Sequence, residues 1–387
     1  MDALEKRLAG ELKKLELAGN MRELKTLSPH GKYVKHNGRE YLNLSSNDYL
    51  GLASQTEYSA GLQKEFLRSL ADREDEFLMS SPASRLMTGN STHYEQLEEA
   101  VSRLFGGREA LVLSSGFMAN AGTLPALTGK EDLILADRLI HASLIDGLRL
   151  GSAEWKRFRH NDMEHLQKLL EQARNRRMVW VVTESIFSMD GDTAPLTELM
   201  ELKARYGFRL YLDEAHAFGV RGPDGRGLAA ELGAEEGCDI RMATLGKAMA
   251  SAGSFVLCSG PVKRCLVNRM RTLIFSTALP PVNLMWSEFL IRRLPGMGAL
   301  RAHLREMTAL LARELGIEAH SQIIPLPAGS NVRALTLARR GRENGYWLTP
   351  IRHPTVPEGT ARIRLSLTAA LTRADILGFA RSWKQSG

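Results

Sequence analysis

Lys247 and Asp213 are the two side chains whose sequence surroundings most favour chemistry. Lys247 lies in ATLGKAMASAG among small residues, which crowd an amine little and let a ligand approach it closely. A lysine in such a pocket can form a Schiff base with an aldehyde. Asp213 ends the apolar run FRLYLD, where a carboxylate can cap a helix or pair with a protonated ring nitrogen. The two residues favour covalent amine chemistry on an aldehyde that carries such a nitrogen.

A phosphate site and a stacking partner for a ring are also available. Ser114, Ser115 and Gly116 follow the apolar run ALVL and open a helical segment, whose free N–H groups and dipole favour a phosphate. His141 follows the run DLIL and can stack on a ring. Each signal is common by itself. Together with the lysine and the aspartate they provide the four contacts that pyridoxal 5'-phosphate requires.

The sequence DEAH at 213–216 suggests a different interpretation, a nucleic-acid-dependent ATPase whose acidic residues bind Mg²⁺. That interpretation needs a phosphate loop of the form G-x-x-x-x-G-K-[ST]. The Gly-Lys pairs at Lys130 and Lys247 lack both the following Ser or Thr and the earlier glycine. The net charge of +7 comes from 51 basic and 44 acidic residues scattered along the chain. This balance is typical of a solvated surface or of a protein that binds small anions, and we expect no nucleic-acid partner.

The residues singled out above need a sheet that presents several strand ends at one edge. Short apolar runs alternate with helical stretches from about residue 92 onward, which is typical of a mostly parallel sheet covered by helices. Ligands of such sheets bind in loops beyond the carboxyl ends of the strands. One further strand is expected between Asp213 and Lys247, so that both project at that end. The expected strands are 110–113, 132–135, 178–183, 208–212 and 254–258, and helices are expected at 162–172 and 196–206.

The N-terminal part of the chain has sequence patterns of its own. Leucines at positions 4, 8, 12 and 15 predict an amphipathic helix over 2–18 that lies on a larger body or on a partner chain. A short β segment with the turn HNGRE is expected over 32–44. We therefore expect an N-terminal helix and β segment over 1–48, a large cofactor-binding domain over 49–290 and a smaller C-terminal α/β domain over 291–387.

The composition is that of a globular protein with a large core, since 44% of the 387 residues are hydrophobic and 25% are charged. No run approaches the roughly 18 apolar residues that cross a bilayer, and the charged N-terminus is unlike a secretory signal. The three cysteines lack metal-ligand spacing and are expected to be reduced thiols. We expect a cytoplasmic protein without a metal or a membrane partner.

Several ordered motifs are together far more specific than any single one. On these motifs the chain resembles the α-oxoamine synthases, a family of pyridoxal-phosphate enzymes with the aspartate-aminotransferase fold, and most closely the members from biotin synthesis. The resemblance implies a mostly parallel central sheet covered by helices, with a smaller C-terminal α/β domain. The motifs are YLNLSSNDYLGL, SSGFMAN, DRLIHASL, TESIFSMDGDTAPL, YLDEAHAFG, TLGKA, FSTALPP and PTVPEGTARIRLSLTA.

The resemblance also implies roles for individual residues. Lys247 resembles the Schiff-base lysine and Asp213 the partner of the ring nitrogen. His216 resembles the residue that bonds the ring's phenolate oxygen, and His141 the stacking histidine. The further matches are Gly116, Phe117, Ser188, Thr244 and Thr277 for the cofactor, Asn47 and Arg364 for the amino-acid carboxylate, and Arg22 and Thr355 for the acyl substrate.

The implied reaction joins L-alanine to a pimeloyl thioester, either pimeloyl-CoA or a pimeloyl carrier protein, with loss of carbon dioxide. The resemblance further implies a homodimer with shared sites, in which Ser276 or Thr277 reaches the other subunit's phosphate. SPAS stands at 81–84 of SSPASRLMTGNST in place of the family's glycine-rich string, near the expected acyl channel. A family member that uses glycine or serine with another acyl-CoA is an alternative, as is a non-catalytic regulator that binds the same cofactor.

Overall fold

The computed structural model describes residues 2–54, 56–71 and 73–386. No helix in these ranges is both long enough and apolar enough to cross a membrane. The strands are β1 Ser28–His30, β2 Tyr33–His36, β3 Arg39–Asn43, β4 Glu109–Leu113, β5 Leu133–Asp137, β6 Glu154–Phe158, β7 Val179–Glu184, β8 Arg209–Asp213, β9 Ile240–Thr244, β10 Ser254–Cys258, β11 Ile323–Gly329, β12 Tyr346–Trp347, β13 Thr349–Ile351 and β14 Ala361–Ser366. The α-helices are α1 Ala3–Leu17, α2 Glu57–Ser69, α3 Thr92–Leu104, α4 Gly116–Leu127, α5 Ala142–Leu150, α6 Met163–Gln172, α7 Leu196–Tyr206, α8 Leu228–Glu231, α9 Gly260–Arg269, α10 Arg271–Ile274, α11 Pro281–Arg293, α12 Gly298–Leu315, α13 Asn331–Glu343 and α14 Arg373–Ser386.

The larger of two compact units consists of the described parts of 60–188 and 192–302. Its seven-stranded sheet has the order β4-β10-β9-β8-β7-β5-β6. β10 is antiparallel to β4 and β9, whereas the pairs among β9, β8, β7, β5 and β6 are parallel. The central strands are buried along nearly their whole length, which is why they read as unbroken apolar runs. The mostly parallel sheet expected from the sequence is confirmed, and β9 is the strand expected between Asp213 and Lys247.

The carboxyl ends of four neighbouring parallel strands meet at one edge of this sheet. β9, β8, β7 and β5 end at Thr244, Asp213, Glu184 and Asp137. The side chains that precede these ends on β7 and β8, among them Val182 and Tyr211, pack into a buried core shared with α4 and α5. Glu184 and Asp213 come two residues after Val182 and Tyr211, so they lie on the same face of the sheet, just beyond the core and at the edge where parallel sheets bind ligands.

The smaller unit combines the described parts of 1–59, 189–191 and 303–387. It contains a sheet of order β1-β2-β3-β12 and a second sheet of order β11-β14-β13. The β segment expected over 32–44 is the β2–β3 hairpin, and β3 pairs in parallel with β12 near the other end of the chain. Because this pairing joins the two chain ends, the compact units divide near residues 59 and 302. The domain boundaries after residues 48 and 290 stay predictions.

The N-terminal helix α1 begins at a capping box, in which Asp2 and Glu5 bond each other's backbone N–H groups. Its leucine stripe lies in the open, since Leu4, Leu8 and Leu12 are between 41 and 55% exposed. The described part of the smaller unit therefore leaves this stripe partly uncovered. Both expected locations of the helix, on a larger body and on a partner chain, stay predictions.

Candidate active site

A cleft with a volume of about 170 Å³, partly open to solvent, lies at the carboxyl edge of the seven-stranded sheet. The cleft brings together seven of the residues predicted from the sequence to contact the cofactor. They are Gly116, Phe117, His141, Asp213, His216, Thr244 and Lys247.

The amine of Lys247 is held in this cleft by the loop that follows β9. Its Nζ lies 2.7 Å from Nε2 of His216, a buried residue. Thr244 fixes the start of the loop, because its Oγ1 accepts from the N–H of Gly246 at 3.2 Å and donates to the carbonyl of Gly253 at 3.1 Å. The lysine is thus presented to the cleft beside a nitrogen with which it can share a proton.

The carboxylate of Asp213 is oriented by two N–H donors. Nδ2 of Asn120 donates to Oδ2 at 2.8 Å, and the backbone N–H of Ala215 donates to Oδ1 at 2.8 Å. The hydroxyl of Tyr211 in turn donates to Oδ1 of Asn120 at 2.7 Å. Burial and the charge of Asp213 raise the pKa of Tyr211 well above its usual value, so the hydroxyl stays protonated. This network holds a carboxylate where a cationic ring nitrogen can meet it.

The side chain of His141 caps the first turn of α5. Its Nδ1 accepts from the backbone N–H of Ser143 at 3.2 Å and lies 2.7 Å from the Ser143 hydroxyl. His141 is exposed as a whole residue, but desolvation of its ring in the cleft lowers its pKa, and the cation of Lys247 adds to this effect against the opposing charge of Asp213. A neutral, fixed imidazole is suited to lie flat against an aromatic ring.

The N-terminus of α4 provides an anion-binding edge at the cleft. Ser115 is the N-cap, and its Oγ accepts from the N–H of Met118 at 3.2 Å. Gly116 and Phe117 form the first turn of this twelve-residue helix and line the cleft. Because the first N–H groups of a helix lack partners within it, this turn can receive a phosphate. The donors, the amine and the carboxylate around the cleft therefore fit pyridoxal 5'-phosphate.

Ser188 and Thr277 are not among the residues that line the cleft. Ser188 is buried in the turn after β7, whose start and end are joined by a bridge between Ile186 and Thr193. Thr277 is exposed, and its carbonyl accepts from the Ser114 hydroxyl at 3.1 Å. Their proposed contacts with the cofactor stay predictions.

A histidine paired with two carboxylates fixes the turn that carries Ser188. Nδ1 of His160 lies 2.9 Å from Oδ1 of Asp137, and its Nε2 lies 2.7 Å from Oδ2 of Asp192. Burial by itself lowers the pKa of His160, but the hydrogen bonds to the two carboxylates outweigh it and raise this pKa to about 10. The imidazolium therefore ties the end of β5 to the end of the turn at neutral pH.

The predicted carboxylate-binding residues meet in the smaller unit. Nη1 and Nη2 of Arg364, on β14, lie 3.2 and 3.3 Å from Oδ1 of Asn47. Arg364 is buried, and the same Asn47 oxygen accepts from the Tyr49 hydroxyl at 3.1 Å. A planar guanidinium held in this way can bind a carboxylate through two parallel hydrogen bonds.

The predicted acyl-contacting residues also meet, on the surface of the smaller unit. Nη2 of Arg22 donates to Oγ1 of Thr355 at 2.9 Å. Arg352, which the sequence did not single out, donates to the carbonyls of Gly19 and Met21. Burial and the charge of the nearby Arg22 lower the pKa of Arg352. Such a pair attracts a carboxylate or a phosphate.

Four polar residues of the cleft or its support were missed in the sequence. They are Asn120, Ser143, Glu184 and Tyr211. A signal existed for Glu184, because it ends the apolar run MVWVVTE just as Asp213 ends FRLYLD. A signal also existed for Asn120, a polar residue one helical turn after Gly116 in a largely apolar helix.

The acidic residue between Asp213 and Ala215 has a structural role. Oε2 of Glu214 lies 2.6 Å from Nη2 of Arg241, and both side chains are 2% exposed. Oε1 of Glu214 accepts from the N–H of Ala229 at 3.0 Å. This buried ion pair anchors the loop after β8, and it leaves the carboxylate no part in an ATPase site.

Comparisons with known proteins give consistent matches. The model of a family described as aminotransferase class I and II matches residues 39–382. The chain is 46% identical over 375 residues to the 8-amino-7-oxononanoate synthase of Chlorobaculum parvum, and the match covers 95% of each chain. Among solved structures, it is similar to a serine palmitoyltransferase variant from S. paucimobilis with a bound PLP-myriocin aldimine, at 28% identity and a TM-score of 0.89 over 100% of this chain and 98% of that one. It is also similar to an 8-amino-7-oxononanoate synthase from Francisella tularensis, at 26% identity and a TM-score of 0.74 over 89% of this chain and 98% of that one.

Proposed function

This chain belongs to the aminotransferase class I and II family, among the 8-amino-7-oxononanoate synthases, and from that membership we propose that it condenses L-alanine with a pimeloyl thioester. The products are 8-amino-7-oxononanoate, carbon dioxide and the free thiol of CoA or of a carrier protein. The proposed reaction is a step of biotin synthesis in the cytoplasm. The family, the fold and the use of pyridoxal 5'-phosphate expected from the sequence are confirmed by the matches, and the chain is a pyridoxal-phosphate-dependent acyltransferase.

Pyridoxal 5'-phosphate, when bound, supplies an electron sink for a carbanion at the amino-acid Cα. The observation that carries the assignment of the site is the convergence of Lys247, His216 and Asp213 in one cleft. In the proposed mechanism Lys247 takes the proton from Cα, and the His216 nitrogen 2.7 Å away shares it. Asp213 holds a proton on the ring nitrogen, and neutral His141 lies against the ring.

The substrates are proposed to be held by residues of the smaller unit. Arg364 and Asn47 bind the carboxylate of alanine, supported by the burial of the guanidinium and by its two contacts with Oδ1 of Asn47. Arg22 and Thr355 bind the acyl substrate, whose thioester carrier or free carboxylate is anionic. The neighbouring cation of Arg352 supports this assignment, because it adds positive charge at the same place.

A competition among amino acids and acyl chains tests the proposed substrates. L-alanine, glycine and L-serine are offered with acyl-CoAs of graded length, and release of CoA is followed. We expect the highest kcat/KM for alanine with pimeloyl-CoA. Glycine is expected to be used more weakly, because a missing methyl group costs only about 1–3 kcal/mol in a hydrophobic pocket.

The competing proposal is that the enzyme uses the same cofactor chemistry to join glycine or serine to a different acyl-CoA. The likeness to a serine palmitoyltransferase favours it, as does SPAS at 81–84, whose side chains can narrow an acyl channel. A higher kcat/KM for serine with a long-chain acyl-CoA contradicts the alanine and pimeloyl assignment. Cofactor binding without any condensation would instead favour the non-catalytic regulator.

We also propose that the enzyme is a homodimer whose sites are shared between subunits. The support is an exposed apolar patch of the larger unit, formed by Leu78, Met79, Leu86, Met87 and Phe275, whose side chains are 50–78% exposed. Backbone hydrogen bonds join its two segments, since Ala278 donates to Ala83 and Val282 donates to Leu78. A second copy that covers this patch would meet the exposed Thr277 beside it.

Mixed subunits test whether the sites are shared. Lys247→Ala and Thr277→Ala homodimers are each expected to be impaired. If Thr277 serves the other subunit's site, one site in each mixed dimer is intact, and a statistical 1:1 mixture should recover about a quarter of wild-type activity. No recovery after subunit exchange has been verified by mass spectrometry of the dimers contradicts sharing through Thr277.

A further inference from the structure

Glu184 is a second carboxyl group in the cleft that the mechanism above does not use. It ends β7, and in the parallel pairing of β7 with β8 it is the direct register partner of Asp213. Neighbouring strands lie about 4.8 Å apart, and register partners in a parallel pair point to the same face of the sheet. The two carboxyl groups therefore share one edge of the cleft, and Glu184 is only 2% exposed.

The two oxygens of this carboxyl group have different surroundings. The backbone N–H of His141, the residue placed against the ring, lies near the group and lowers its pKa. Its Oε1 is buried and has no hydrogen-bond partner within the described part of the chain. A buried polar atom without a partner costs roughly 1–3 kcal/mol, so its presence at a ligand cleft points to a partner on the ligand.

The charged groups near Glu184 raise or lower its pKa and so determine whether it is protonated. Burial and the negative charge of Asp213 raise the pKa of Glu184 well above its usual value, and Asp137 adds to this effect. The cation of Lys247 and the N–H of His141 oppose the shift without reversing it. Asp213 has two N–H donors and Glu184 has no cationic hydrogen-bond partner among the described residues, so the charge of this pair of carboxyl groups belongs on Asp213. Protonated Glu184 then has an O–H group to donate.

We propose that Glu184 is a neutral carboxylic acid that donates a hydrogen bond from Oε1 to an oxygen of the bound cofactor. This arrangement adds a hydrogen bond to the cofactor without adding a charge beside the ring. A second carboxylate there would compete with Asp213 for the ring proton and with the cofactor phosphate for cations. The inference rests on the assignment of the cleft to the cofactor and not on the identity of either substrate.

Two substitutions separate the hydrogen bond from the charge. Glu184→Gln keeps the size, a donor and an acceptor, and it removes a charge only if Glu184 is ionised. Glu184→Leu removes both the donor and the acceptor at similar volume. Asp213→Asn is the control in which a charge of the same edge is removed, and thermal melts of the cofactor-free proteins verify that each variant folds.

Three measurements without substrate test the proposal. Infrared difference spectra of the cofactor-free protein at neutral pH should show the carbonyl band of a protonated carboxyl group, and Glu184→Gln should lose it. The affinity for pyridoxal 5'-phosphate, followed by fluorescence quenching, should change less than about threefold in Glu184→Gln and weaken about tenfold in Glu184→Leu, equivalent to about 1.4 kcal/mol. The pH midpoint of the bound cofactor's visible absorbance should stay at its wild-type value in Glu184→Gln.

Specific results overturn the proposal. A shift of the absorbance midpoint in Glu184→Gln as large as that in Asp213→Asn would show that Glu184 is ionised. The absence of the infrared band would show the same. Wild-type affinity in a folded Glu184→Leu would show that Oε1 makes no contact with the cofactor. Failure of the wild-type protein to condense alanine would change none of these readings, so it would contradict the proposed substrates alone.

Discussion

Replacement of Lys247 by alanine is expected to lower turnover by at least about 10⁴-fold, because the Schiff-base amine and the general base are lost together. A loss of this size corresponds to about 5.5 kcal/mol of barrier. The structure adds that the His216 nitrogen 2.7 Å away loses the group with which it shares a proton. The measurement is CoA release under saturating alanine and pimeloyl-CoA, with stopped-flow absorbance to detect residual single turnovers.

The site of covalent attachment provides a direct check on this prediction. Borohydride reduction of the holoenzyme followed by peptide mapping should place the cofactor on Lys247. Lys130→Ala is the matched control, because Lys130 is an exposed lysine that also follows a glycine, and its removal should leave turnover unchanged. An adduct on Lys130, or substantial turnover in folded Lys247→Ala, would show that another amine performs the chemistry.

Replacement of Asp213 by asparagine is expected to slow exchange of the alanine Cα proton by about 10²–10⁴-fold, because an amide cannot hold the ring nitrogen protonated. The new NH₂ group would also face the Nδ2 donor of Asn120 or the N–H of Ala215. Rotation of the Asn120 side-chain amide, which would exchange its oxygen and nitrogen, is also unfavourable because its Oδ1 accepts from the Tyr211 hydroxyl. A lost or unpaired hydrogen bond of this kind costs roughly 1–3 kcal/mol of stability.

Tyr211→Phe tests the hydrogen bonds that orient Asp213 separately from the charge of Asp213. This variant leaves the carboxylate in place and removes only the hydroxyl that fixes Asn120. We expect its exchange rate to fall far less than that of Asp213→Asn, measured by NMR of alanine in deuterated buffer. Near-normal exchange in Asp213→Asn would show that the ring nitrogen has another partner.

The sequence was informative wherever chemistry coincided with a local pattern. Asp213 and Lys247 were found because each lies in a loop that follows an apolar strand, and the order of strands and helices predicted that both loops lie at one edge. The residues that orient these two side chains could not be found from local sequence patterns. Asn120 contacts Asp213 across 93 residues, and no local period marks such a contact. Glu184 ends its strand as visibly as Asp213 does, but only the register of β7 with β8 reveals that the two share the cleft.

The parallel pairing of β3 with β12 also sets an order of events during synthesis. Leu42 of β3 pairs with Tyr346 of β12, about 300 residues later in the chain. At about 5–20 residues per second, the ribosome needs roughly 15–60 s to produce the partner strand. The β1–β3 segment emerges before its partner and has to keep one strand edge unpaired until Trp347 has been synthesised. The seven strands of the larger sheet, by contrast, are all available by residue 258. For the smaller unit, the first residues translated are thus among the last to reach their native partners.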